Sequence, residues 1–144
     1  MNKITVISCI MTFMFVLSGI DKLKNLTKVS QGLEKKVVNG LQGLGVPLIN
    51  LPSWFYKLSI LGAALLQLVG SIIIILSTTN LLNKYMSVKN KKLLGSALCI
   101  AIVIFTILAT LLYHFPPKGS HYYAFISNVT TVGGFLLLGH TISN

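Results

Sequence analysis

Two side-chain amides stand where a hydrocarbon environment is expected. Gln67 lies in the uncharged stretch Leu58 to Thr79, and Asn128 lies in the stretch Tyr122 to Thr141. An amide carried from water into hydrocarbon must find hydrogen-bond partners or lose about 1–3 kcal/mol. Each therefore either bonds across to a neighbouring helix, as amides in membrane proteins ordinarily do, or forms the polar floor of a site for a quinone- or lipid-like molecule. That second possibility makes Gln67 and Asn128 the candidate cofactor-binding residues.

Other reactive side chains are sparse. Asp21 is one of two acids and has Lys22 and Lys24 beside it, which reads as a carboxylate paired locally at the membrane surface. His114 and His121 bracket a short segment with Tyr113, Tyr122 and Tyr123, but no carboxylate or cysteine accompanies them, so interface anchoring is expected rather than a metal site. Cys9 and Cys99 sit inside apolar runs without C-x-x-C spacing, which points to packing rather than zinc, haem or dithiol chemistry. No paired carboxylates, nucleophile elbow or phosphate loop occurs, and this points away from an enzyme. The sequons at Asn25 and Asn128 are at or inside apolar stretches and are expected to stay unmodified.

The elements that would position these groups follow from composition. The chain has 144 residues, is 53% hydrophobic and only 10% charged, well below the roughly 25% charged share of soluble proteins. Its twelve cations are all lysines and give a net charge of +10. They lie between long uncharged runs, as membrane-flanking residues do, which disfavours nucleic acid as the partner and favours the lipid bilayer. The expected fold is all-α: one membrane domain over 1–144, a four-helix transmembrane bundle with spans at about 4–20, 58–79, 93–113 and 122–141. Trp54 to Lys57 forms an aromatic and cationic belt before the second span, and Pro116-Pro117 stops the third. A cleaved signal peptide competes for the first span, with Lys3 ahead of it and Ser18-Gly19 at its end, but no A-x-A pattern supports cleavage.

Between the first two spans, Leu33, Val37, Leu41, Leu44 and Leu48 recur at helical spacing, with Glu34, Lys35, Lys36, Asn39 and Gln42 opposite. This predicts an amphipathic helix in the interface over about 30–44, ended by Gly45-Val46-Pro47. Small and polar residues form faces on which membrane helices approach closely. Ser59, Ala63, Gln67 and Gly70 make one in the second span, Thr131 and Gly134 one in the fourth, and Ser8, Thr12 and Gly19 one in the first. Lysines are divided between both sides of the membrane, and the compact set Lys84, Lys89, Lys91 and Lys92 tilts the expectation towards cytoplasmic termini.

Several segments resemble the DoxX-like family of small four-helix membrane proteins. They are Ser18-Gly19-Ile20-Asp21-Lys22-Leu23, Leu44-Gly45-Val46-Pro47, the second span from Leu61 to Gly70, and Phe125-Ile126-Ser127-Asn128 running into Gly133-Gly134. The resemblance implies a four-helix fold and roles as different as subunits of quinone-linked oxidoreductases and receptor-assembly chaperones. Many relatives carry an acid where Gln67 stands, so a proton-coupled role is not carried over. The expected function is a non-catalytic membrane subunit or assembly factor, with a membrane-protein partner or a second copy of the chain. A quinone-linked oxidoreductase component is the alternative. A small-molecule or lipid transporter ranks last, because no span contains proline or a central charge.

Overall fold

The computed structural model describes residues 2–43, 51–114, 119 and 121–144. Among them the regular structure is entirely helical: α1 (Lys3–Lys24), α2 (Leu26–Gly43), α3 (Ser53–Ser77), α4 (Val88–His114) and α5 (His121–Ser143), with a single 3-10 turn at Leu81–Lys84. Helices α1, α3, α4 and α5 are each long and apolar enough to cross a membrane. The shortest has 22 residues, about 33 Å at 1.5 Å per residue against a hydrocarbon core of about 30 Å. The chain is a multi-pass membrane protein with four candidate spans and a short helix between the first two.

The helices outrun the apolar stretches because their ends are capped. The Asn2 side chain accepts from the Ile4 N–H at 3.4 Å, and Ser87 Oγ accepts from the Asn90 N–H at 3.2 Å. Lys22 and Lys24 occupy the last turn of α1, where cations favour the carbonyl end of the helix. The Asn25 N–H then closes α1 on the Asp21 carbonyl at 2.9 Å, and α2 starts almost at once.

Helix α1 packs on α3 and α5, and α4 packs on α3 and α5, so the spans form a ring in chain order. Helix α2 lies against the first half of α3 and touches α4. Its Leu33 and Val37 are half-buried. Leu41, Leu44, Leu48 and the Gly45-Val46-Pro47 stop lie outside the described side chains, as does Pro116-Pro117.

One half of the ring is tightly closed. Ile74, Cys99, Ile102, Val103, Phe135, Leu138 and Ile142 form its core, and the Phe15 ring meets Phe135 edge-on with centroids 5.1 Å apart. Glycines permit the approach. A Cβ at Gly95 would stand 2.8 Å from Ser77 Cβ, and one at Gly139 would stand 3.1 Å from Cys99 Cβ. Close backbone approach of this kind drives helix association where lipid removes the hydrophobic driving force.

Hydroxyls in this half are satisfied chiefly within their own helices, since a serine or threonine reaches the carbonyl one turn back. Ser8 donates to the Ile4 carbonyl and Thr12 to the Ser8 carbonyl, both at 2.8 Å. Thr78 Oγ1 makes the interhelical link, donating to Thr5 Oγ1 at 3.0 Å. Lys91 is only 6% exposed. Its ammonium donates to the Thr79 carbonyl and, at 2.7 Å, to Asn83 Oδ1, so a lysine at the start of α4 caps the carbonyl end of α3.

Candidate functional site

The first half of α3 packs mainly on α1 and α2, whereas its second half packs on α1 and α4. In the half of the ring nearest α2 the helices therefore part, and a cavity of about 850 Å³ opens between them. That volume lies within the range of small-molecule sites. Every helix contributes: Phe15, Asp21 and Lys22 from α1, Val29, Gly32 and Leu33 from α2, Ser59, Ala63 and Gln67 from α3, Phe105 and Tyr113 from α4, and Ser127, Asn128 and Thr131 from α5. From Ser59 to Gln67 the wall runs roughly 12 Å along the α3 axis.

Gln67 lies in a π-helical turn, Leu66–Gly70, inside the otherwise α-helical second span. Such turns occur often at functional sites. Against it packs Gly19 of α1, where a Cβ would stand 2.7 Å from Leu68 Cγ and 3.1 Å from the Ala64 carbonyl oxygen. The Gln67 side chain is only 4% exposed, and its Oε1 has no hydrogen-bond partner. Asn128 is half-buried and lines the same cavity from α5, the helix diagonally across the ring. Among the described residues no hydrogen bond joins the two amides, and Gln67 Oε1 makes none to a neighbouring helix.

The lining hydroxyls donate inward to their own helices. Ser59 Oγ donates to the Phe55 carbonyl and Thr131 Oγ1 to the Ser127 carbonyl, each at 2.9 Å. Their oxygen lone pairs remain able to accept, while the two carboxamides offer both donors and acceptors. The remaining lining is dominated by Met14, Phe15, Ile60, Leu108 and Leu112. An apolar wall with a few convergent polar groups suits an amphipathic organic molecule.

At the other end of the cavity, Lys22 Nζ donates to Ser18 Oγ at 2.6 Å, and Asp21 Oδ1 accepts from Asn25 Nδ2 at 2.8 Å. The local pairing of Asp21 with its neighbouring lysines is thus replaced by bonds one turn away. Adjacent residues on a helix point about 100° apart, whereas residues four apart share a face.

The positions expected to mediate helix packing divide. Ser59, Ala63, Gln67 and Thr131 line the cavity, while Gly70 sits 3.4 Å from Leu66 Cδ1 by the position its Cβ would take, and Gly134 faces Met11 of α1. Lys22, Ser18, Tyr113 and Gly32 join the site although sequence reasoning passed them over as surface or spacer residues. Only the polarity of Ser18 and Lys22 at the end of the first apolar run hinted at their place.

Outside the cavity, the His114 and His121 rings lie 5.7 Å apart by centroid, with His114 Nδ1 buried and unpartnered. Among the described residues no three potential metal ligands gather. Cys9 is half-buried and Cys99 buried, and both are free thiols.

No protein-family model, curated protein or solved structure matches the chain. Fold and site define a class: a small multi-pass helical membrane protein with a hollow half that opens among its spans.

Proposed function

We propose that this protein binds one amphipathic, lipophilic molecule in the cavity and performs no covalent chemistry on it. The observation that carries the reading is the unpartnered Oε1 of Gln67, a residue of the cavity wall. A buried acceptor without a partner costs about 1–3 kcal/mol, and rotation of the carboxamide towards a ligand hydroxyl or amide group removes that cost. Met14 and Leu108 line the cavity and are largely exposed, so apolar side chains border its opening and favour the bilayer as the source of the molecule. The resemblance to the DoxX-like family is consistent with a four-helix bundle in which α2 lies in the interface, and it keeps a quinone among the ligands of this kind. The orientation proposed is with both termini cytoplasmic.

The test is purification in mild detergent, followed by native mass spectrometry and analysis of the extracted lipophilic molecules. One molecule retained per chain, with occupancy about fivefold lower in Gln67→Leu, is the expected result. An empty wild-type protein, or equal occupancy in the variant, contradicts the reading. Retained quinone would assign the ligand and favour the redox alternative. A stoichiometric protein partner in the same sample would support the subunit or assembly-factor reading, which rests on the resemblance and on the missing catalytic groups.

A further inference from the structure

The cavity does not end at Lys22. A second hollow, of about 470 Å³, is lined by Gly32, Lys35, Lys36, Asn39 and Leu112. It shares Gly32 and Leu112 with the larger cavity, and a Cβ at Gly32 would meet nothing within 4 Å. Gly32, which has no side chain, and Leu112 therefore form the junction between the chamber and a basic groove. Lys36 Nζ lies 6.0 Å from the centroid of the Tyr113 ring, itself part of the larger cavity wall.

Charge fixes the sign of what this end would attract. Lys22 lines the chamber, and Lys35 and Lys36 line the groove, against one carboxylate, Asp21. The single bond of Lys22 to Ser18 leaves two ammonium hydrogens free to donate, and one oxygen of Asp21 is engaged by Asn25. Farther in, the walls are mostly apolar, with Ser59, Asn128 and Thr131 among the aliphatic and aromatic side chains on the way to Gln67.

We infer that the bound molecule is an anionic lipid whose phosphate or carboxylate head is held by Lys22, Lys35 and Lys36, with its apolar portion in the chamber. The inference rests on the proposed ligand-binding function and deepens it by naming the head group. Attraction of an anionic lipid to a lysine near the membrane surface corresponds to about fivefold in affinity.

The experiment reconstitutes the full chain with an equimolar mixture of phosphatidylglycerol, phosphatidylethanolamine and phosphatidylcholine of identical acyl chains. Native mass spectrometry then reads the lipid retained after transfer to detergent. The wild type should keep one phosphatidylglycerol in preference to the other two. Lys22→Gln, Lys35→Gln and Lys36→Gln should each lower that preference about fivefold. Gly32→Leu, whose Cβ meets nothing within 4 Å and whose side chain extends into the junction, should lower total occupancy. Retention indifferent to head group, or unaltered by the lysine variants, overturns the head-group assignment while leaving the cavity reading intact. Failure of the wild type to retain any lipid overturns both. Displacement of the retained lipid by millimolar inorganic phosphate would assign the lysines to a soluble anion and overturn the lipid assignment.

Discussion

The two halves of the ring draw on the same residue types and use them in opposite ways. In the closed half, Ser77 donates to the Ile74 carbonyl at 2.7 Å, Thr5 and Thr78 bond to each other, and buried Lys91 caps α3. At the floor of the hollow half, Gln67 Oε1 is buried and lacks a partner among the described residues. Ser71, whose Oγ is likewise buried and unpartnered, follows four residues later, just past the π-helical turn that holds Gln67. The difference separates polar residues that hold helices together from polar residues left available. It also separates glycines, since Gly95 and Gly139 of the closed half are pressed against neighbours whereas Gly32, in the cavity wall, faces open space.

Substitutions should divide along the same line, and unfolding in detergent can read them in order of size. Gly95→Leu should cost the most, about 3 kcal/mol, because the new side chain overlaps Ser77 and Ile142. Undiminished stability there would mean that the closed half is not closed. Lys91→Met should come next, at about 2 kcal/mol, since it leaves the Thr79 carbonyl and Asn83 without their donor. Gln67→Leu should have the opposite sign. Without ligand it should stabilise by about 1 kcal/mol, because an unpartnered acceptor is removed from a buried site. Destabilisation of that size would show that the amide is already bonded. The smallest effect belongs to Gly133→Ala, a gain of about 0.5–1 kcal/mol from helix propensity with no neighbour in the way.

Much of this architecture is legible in the sequence. Uncharged runs flanked by lysines announce four spans, and the repeat at Leu33 and Val37 announces a helix between the first two. Ser8, Thr12 and Gly19 were expected on one face of the first span and are buried together. The site was legible only in part. A lone amide in an apolar run advertises Gln67, but nothing in Leu66–Gly70 signals a π-helical turn, which arises where Gly19 presses on α3. Lys91 reads as a flanking lysine, because its carbonyl acceptors come from the end of the preceding span and the turn that follows it. The hollow itself depends on α2 lying against the first half of α3, a tertiary fact that periodicity does not encode.

Occupancy of the hollow half can be read by photocrosslinking with a diazirine-bearing phospholipid in reconstituted membranes. Peptide mapping should place the adducts on Phe15, Gln67, Phe105 and Asn128, inside the cavity, with loss of those adducts on competition by the unlabelled lipid. Adducts confined to outward-facing residues such as Ile10, Ile104 and Leu137 would mean that lipid only surrounds the protein, and would contradict the account.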